Sequence, residues 1–350
     1  MKTVLILGAG VMGTAFSVPL SDSGGRVLLV GTHLDDDWIC SLKERRFHPK
    51  LNMRIPERVV PFLHRELDEA VSERPDLIVL GVSSPGIDWA VEQLAATLRD
   101  PAPVLLLTKG LWVNDGRIEV LPHRVASGLA RMRSDRFASL ATGGVGGPCI
   151  AGELAARRRT SVVFGADAGV HDTSRFLSAS YYSVTRSDDV VGVETSAALK
   201  NFLAIGVGAA AGMLENADPA ENEALMLNFE SALFTAACFE LKTLVTVLGG
   251  RAESAMGLAG VGDLYVTCRA GRNSRLGRLL GTGVTISEAR KRMVDETIEG
   301  ADLGLAVGRV LRNMMDRGDL DGERLSLTRS ILSAVCDDEV FSFESDVGPL

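Results

Sequence analysis

At 350 residues the chain is long for a single hydrophobic core, and about 150 residues per domain suggests two domains. Its composition is globular (46% hydrophobic, 23% charged, 5% aromatic), and a net charge of −8 argues against nucleic acid, whose phosphates are bound by basic surface. The five cysteines, at 40, 149, 238, 268 and 336, form no C-x-x-C pair, so neither a disulfide framework nor a zinc site is expected, and they fit a reducing cytoplasm.

Thr3 to Leu7 (T-V-L-I-L) predicts a strand. Met1-Lys2 leads straight into it, without the small-residue cleavage site of a signal peptide. Gly8-Ala9-Gly10-Val11-Met12-Gly13 follows, then a helix to about Ser23 and a second strand from Arg26 to Val30. Asp76 to Gly81 and Val104 to Leu107 predict further strands. Apolar runs without polar alternation indicate strands buried on both faces, hence a parallel sheet with helices on each side. The strand–helix–strand order is the Rossmann-type, doubly wound α/β pattern.

Beyond about residue 190 the pattern becomes helical: Val193 to Met213, Glu221 to Gly249, Ser287 to Met293 and Leu303 to Met315 are rich in Ala and Leu. The expected division is therefore a dinucleotide-binding domain over residues 1–190 and an all-helical substrate domain over 191–350. Phe202 to Met213 is the most membrane-like stretch, but at about 12 residues it is short of the ~20 that span a bilayer, so no membrane span is expected. The acidic tail, Asp337 to Leu350, reads as a loose end.

Gly8, Gly10 and Gly13 have the spacing of a dinucleotide fingerprint, and its confirming context is present: a strand before it, a helix and second strand after it. Gly8 suits the tight turn, Gly10 lets backbone approach a pyrophosphate, and Gly13 permits close helix–strand packing. The anion then rests on a helix N-terminus. The second strand ends in Val30-Gly31-Thr32-His33, with neither an acid to hold a ribose 2′-hydroxyl nor an arginine to demand a 2′-phosphate. Asp35, Asp36 and Asp37 lie further on and read as a solvated helix start. NAD and NADP are both allowed.

Oxidising a secondary alcohol needs a hydride acceptor, a base for the hydroxyl proton and positive charge on the developing alkoxide. With no cluster suited to a metal, a lysine is the natural candidate, since burial or a neighbouring cation lowers its pKa. Two of the seven lysines qualify. Lys109 follows the strand V-L-L-L-T at the carboxyl edge where open α/β sheets bind ligands. Lys200 lies in the apolar run A-A-L-K-N-F-L-A-I-G. Further on, glycine-flanked Asp263 leads to Gly271-Arg272-Asn273 ahead of a helix, and arginine with an amide at a helix start suits a phosphate group.

These segments, in this order, resemble the NAD(P)-dependent sn-glycerol-3-phosphate dehydrogenase family over roughly residues 3–315. The resemblance rests on G-A-G-V-M-G, T-K-G at 108–110, G-P-C-I-A-G-E-L at 147–154, G-V-E-T-S-A-A-L-K-N at 192–201, L-A-G-V-G-D-L at 258–264, G-R-N at 271–273 and I-E-G at 298–300. It implies a soluble enzyme interconverting glycerol 3-phosphate and dihydroxyacetone phosphate. Lys200 would be the proton acceptor and Lys109 a contact of both cofactor and substrate. Asp263, Arg272 and Asn273 would hold the glycerol phosphate and orient the lysine, with Gly147, Cys149 and Gly271 at substrate-loop positions. Gly8, Gly10, Val11, Met12, Gly13, His33, Ala151, Arg272, Thr297 and Glu299 would fall on the cofactor side.

The chain departs from the family pattern at Val11-Met12, at Cys149, at Gly152 and at Gly271. Cys149 is a poor hydrogen-bond donor where the family usually has Ser, Thr or Asn, which bears on the alcohol end of the substrate. The competing readings are a dehydrogenase for another phosphorylated polyol or a β-hydroxyacid, and a non-catalytic NAD(P)-binding sensor. A β-hydroxyacid enzyme would place its cationic clamp for a carboxylate, and a sensor would need neither lysine. A homodimer is compatible with the sequence, though no feature marks it.

Overall fold

The computed structural model describes residues 1–217, 224–269, 271–294 and 296–343. The chain divides into two compact units, residues 1–109 with 120–194, and residues 110–119 with 195–350. The unit boundary follows Glu194, close to the expected one at 190/191, and residues 110–119 group with the second unit.

In the first unit, strands β1 (Thr3–Leu7), β2 (Arg26–Val30), β3 (Val59–Phe62), β4 (Leu77–Leu80) and β5 (Val104–Leu106) form one half of a sheet. The chain then makes a hairpin, β6 (Leu111–Asn114) and β7 (Arg117–Val120), before β8 (Thr142–Gly146), β9 (Thr160–Ala166) and β10 (Tyr182–Ser187) complete the sheet. The order is β3-β2-β1-β4-β5-β8-β9-β10, parallel except for the β8–β9 pair. Every residue of Val4–Leu7, Val27–Val30 and Leu77–Leu80 is fully buried, as unbroken apolar runs require when both faces are covered. The order reverses at β1, whose neighbours are β2 on one side and β4 on the other, so the ligand crevice of an open α/β sheet lies past the carboxyl ends of these strands. Helix α1 (Val11–Asp22) begins there.

Helix α2 (Val190–Asn216) starts in the first unit and continues into the second. The second unit then holds α3 (Leu227–Val247), α4 (Asp263–Arg269), α5 (Arg272–Gly281), α6 (Glu299–Asp316) and α7 (Ser326–Cys336). Among the described residues its one pair of strands is the β6–β7 hairpin, turned by Asp115 and Gly116, both at positive φ (47° and 74°). An Asp-Gly turn of this kind is a strong hairpin signal, while residues 191–350, expected to be helical, hold no strand among the described residues.

At 27 residues with a mean hydropathy of 1.5, α2 has the length and composition of a membrane span, against the shorter stretch expected. However, 83% of its apolar window is buried inside the protein, the mark of a core helix. The helix predicted from Glu221 begins at Leu227, and residues 218–223 lie outside the described residues. The tail is anchored at its start: Phe341 is buried and the Phe343 ring lies 6.2 Å from that of Phe229. Residues 344–350 lie outside the described residues.

Candidate active site

The Gly-rich turn shows why each glycine stands where it does. Gly8 has φ +114°, and a Cβ there would lie 2.7 Å from the backbone of Gly81 at the end of β4. A Cβ on Gly13 would lie 2.0 Å from the Gly8 carbonyl oxygen, so only glycine lets α1 start this close to β1. Gly10 differs. A Cβ there would meet nothing within 4 Å, so no protein neighbour demands glycine, and the open space suits a ligand approaching the backbone. Gly10 is also the N-cap of α1 and has no side chain to occupy the N–H groups of the first turn. Half-buried Val11 and Met12 open the helix. These features fit a dinucleotide pyrophosphate.

At the end of β2, Asp35 is buried rather than solvated. Its carboxylate accepts from the Ala9 N–H (3.2 Å), the Thr32 N–H (2.8 Å) and the Thr32 hydroxyl (2.9 Å), tying the β2 end to the Gly-rich turn. His33 is exposed, with its ring edge-on to Trp89 at 5.7 Å.

Lys109 follows β5, and its Nζ donates to the Gly147 carbonyl at 3.3 Å. Parallel pairing of β5 with β8 puts the two strand ends side by side, and Gly147, at φ +109°, takes a conformation that suits glycine. Cys149 is half-buried just beyond, and Ala151 opens the helix Ala151–Ala155. In the same unit Glu194 is completely buried, and neither carboxyl oxygen has a hydrogen-bond partner. Burial pushes its pKa up to about 8, against the pull of the Lys109 charge.

The second unit gathers the other group. Lys200 on α2 is 6% exposed, with Nζ 3.1 Å from Asp263 Oδ1 and donating to the Thr267 hydroxyl at 2.6 Å. Leu258–Gly262 forms a single π-turn that delivers Asp263 as the first residue of α4. Thr267, one turn later on α4, donates back to the Asp263 carbonyl at 2.8 Å. Next to Lys200, Asn201 donates to Glu299 Oε2 (3.0 Å) and accepts from Asn273 Nδ2 (3.1 Å). Asn273 Oδ1 accepts from the Gly300 N–H at 2.9 Å, leaving that side chain one amide hydrogen for a ligand. Arg272, the first residue of α5 after the N-cap Gly271, lies 3.6 Å from Glu299 Oε1, and both side chains are 48% exposed. Thr297 is exposed just ahead of α6.

Residues 3–170 match the family model of the NAD-dependent glycerol-3-phosphate dehydrogenase N-terminus, and residues 189–334 that of its C-terminus. The chain belongs to the NAD-dependent glycerol-3-phosphate dehydrogenase family. Membership makes it an oxidoreductase acting on a CH–OH group with a nicotinamide cofactor, as the resemblance implied. It is 34% identical over 293 residues to the NADP(+)-dependent glycerol-3-phosphate dehydrogenase of Archaeoglobus fulgidus, covering 83% of each chain. It is 32% identical over 304 residues to the NAD(P)+ glycerol-3-phosphate dehydrogenase of Shewanella amazonensis, covering 85% of this chain and 82% of that one. Among solved structures it is similar to glycerol-3-phosphate dehydrogenase from Coxiella burnetii, with a TM-score of 0.77, 26% identity, and coverage of 97% and 96%.

Within this family fold, Thr267, Asn201 and Glu194 are polar groups of the site regions that sequence reasoning gave no role, and Asp35 is one that it read as solvated. Thr267 carried a usable signal, standing four residues after Asp263 and so on the same helix face. Glu194 carried another, as an acid inside the apolar run V-V-G-V-E-T-S-A-A-L.

Proposed function

We propose that the chain interconverts sn-glycerol 3-phosphate and dihydroxyacetone phosphate with NAD or NADP, using Lys200 as the general base. Residues 1–190 serve as the cofactor domain and 191–350 as the substrate domain. The observation that carries the assignment is the seat of Lys200, a buried amine held from two sides by Asp263 and Thr267. A bound nicotinamide ring supplies the hydride acceptor in one direction and the donor in the other.

In oxidation, Lys200 Nζ takes the proton of the substrate hydroxyl, and in reduction it returns that proton to the carbonyl oxygen. Asp263 and Thr267 fix the direction of Nζ, so that proton transfer begins from an aligned geometry. Lys109 adds positive charge where the alkoxide develops. Arg272 offers its guanidinium fork to the phosphate at the start of α5, exchanging Glu299 for the ligand, and Asn273 contributes its remaining N–H. Gly147, Cys149 and Gly271 belong to the substrate side. Val11, Met12, His33, Ala151, Thr297 and Glu299 belong with the glycines to the cofactor side. Five cysteines without a C-x-x-C pair support a cytoplasmic location.

The test is turnover of dihydroxyacetone phosphate by the purified chain with NADH and with NADPH. Both cofactors should work, with kcat/KM within about a hundredfold of each other, because neutral hydrogen bonds at the β2 end discriminate by only ~1–2 kcal/mol. Inactivity on dihydroxyacetone phosphate alongside turnover of a β-hydroxyacid would contradict the assignment.

A further inference from the structure

His48 is a fully buried ionisable group that no step above uses. It belongs to a short hairpin, Phe47–His48 paired with Met53–Arg54. The Ser41 hydroxyl ties this hairpin to the helix Asp36–Arg45 by donating to the Phe47 carbonyl at 2.7 Å. The His48 ring packs on Trp38 of that helix, with ring centroids 5.1 Å apart. Both ring nitrogens are engaged. Nδ1 accepts from the Leu51 N–H at 3.1 Å, so the neutral ring carries its proton on Nε2, which donates to the Ala9 carbonyl at 3.3 Å.

Ala9, between Gly8 and Gly10 of the Gly-rich turn, is thereby fastened on both sides. Its N–H donates to Asp35 at 3.2 Å, and its carbonyl accepts from the Thr14 hydroxyl at 3.0 Å as well as from His48. The Ala9–Gly10 peptide is trans, which sets the Gly10 N–H antiparallel to the Ala9 carbonyl. A carbonyl held toward His48 and Thr14 therefore turns the Gly10 N–H the other way. That N–H stands at the N-cap of α1, where a Cβ would meet nothing within 4 Å. Reversing this peptide would replace a donor by a carbonyl oxygen, which repels an anion.

We infer that His48 is a positioning residue for the cofactor pyrophosphate, its neutral Nε2–H locking the Ala9–Gly10 peptide in the orientation that offers an N–H to the anion. The inference rests on the reading of the Gly-rich turn as the pyrophosphate site. Protonation undoes the lock from the far side of the ring. A proton on Nδ1 faces the Leu51 N–H, donor against donor, and the contact must open. Burial holds the His48 pKa below the ordinary histidine value; the bond to Ala9 and the Asp35 charge oppose this, and the Lys50 charge adds to it. Residues 11–17 of α1 carry no ionisable side chain, and Arg54 across the hairpin donates to the Arg45 carbonyl at 2.8 Å. Because the cofactor binds the neutral-ring form, binding lowers that pKa further, and Kd rises as pH falls below about 6.5.

The experiment measures Kd for NAD+ by calorimetry from pH 7.5 to pH 5 in wild type, His48→Gln, His48→Phe and Gly10→Val. The wild-type Kd should rise about three- to tenfold over that range. At pH 7.5, His48→Phe should weaken binding about tenfold, the worth of a lost hydrogen bond. His48→Gln, whose amide donates without ionising, should restore most of that affinity and flatten the pH profile. An equal rise in wild type and His48→Gln, or an unaltered Kd in His48→Phe, overturns the inference while weaker binding by Gly10→Val spares the pyrophosphate reading. A Gly10→Val protein that binds NAD+ as the wild type does overturns that reading and the inference with it. Long-range 1H–15N spectra of the wild type need no variant. The His48 ring should be the Nε2–H tautomer and stay neutral to lower pH with NAD+ than without it; an Nδ1–H ring, or one titrating identically in both states, would refute the inference.

Discussion

Arg272 and Glu299 are both 48% exposed and 3.6 Å apart, and an exposed pair of this kind contributes little to stability. The guanidinium is therefore free to exchange its carboxylate partner for a phosphate. Arg272→Ala should weaken substrate binding by about 1.5–3 kcal/mol, the usual worth of hydrogen bonds to charged groups, with the fold unaffected. Inorganic phosphate should compete with substrate in the wild type and far less in the variant, and equal inhibition of both would remove Arg272 from the phosphate site. Thr267 acts through Lys200. Thr267→Val keeps the shape, removes the 2.6 Å hydrogen bond to Nζ, and should lower kcat about 10–100-fold with KM little changed. An unaltered kcat would leave Thr267 a purely structural residue. Lys200 was legible in the sequence because a cation in an apolar run demands a partner. For Thr267 only its spacing from Asp263 was legible, and its bond to a lysine 67 positions away was not.

At the scale of elements, the second unit depends on a close helix crossing. A Cβ on Gly277 of α5 would lie 1.9 Å from the Ile205 carbonyl of α2, and one on Gly281 would lie 2.1 Å from that of Ala209. In return, a Cβ on Gly208 or Gly212 of α2 would lie 2.4 Å from Ser274 or 1.9 Å from Arg278 backbone oxygens. This contact sets Asn201 against Asn273 at one end of the crossing. Gly277→Ala should therefore destabilise by about 1–3 kcal/mol or more in urea unfolding, as overpacking does, and reduce activity as well. A stable, fully active variant would mean that the helices separate without consequence. Glycines spaced along both helices were visible in the sequence, but their partners were not, because pairing of helices depends on topology.

Helix α7 has a different support. Buried Glu240 on α3 accepts from the Leu327 and Thr328 N–H groups and from the Thr328 hydroxyl, all at 2.6–2.7 Å, satisfying first-turn donors of α7. Burial outweighs these donors and raises its pKa to about 7. A folded value above the unfolded one of about 4.5 means that stability is fully present below pH 4.5 and is lost as pH rises to about 7, on the order of 3 kcal/mol in all. Measured by urea unfolding, wild type should lose stability relative to Glu240→Gln between pH 5 and pH 7.5. A pH-independent difference between the two proteins would show that Glu240 does not titrate there.

For the whole molecule, the Rossmann half was readable because its strands are continuous apolar runs and its glycine spacing has one structural context. The division of the chain was less so. Residues 110–119 leave the first unit as a hairpin whose Asp115-Gly116 turn is local, but whose assignment to the second unit rests on contacts with α6, far along the chain. Polar residues on α2 likewise masked its full length, since Glu194, Lys200 and Asn201 are buried by tertiary partners rather than exposed along one face. The central claim is that this fold places a lysine to move a proton. It is tested most directly by kcat for dihydroxyacetone phosphate reduction in Lys200→Ala, alongside the cofactor dissociation constant and rescue by added methylamine. A fall in kcat of about 10²–10⁴ is predicted, with cofactor affinity retained and part of the loss restored by the amine. A kcat equal to that of the wild type would contradict it.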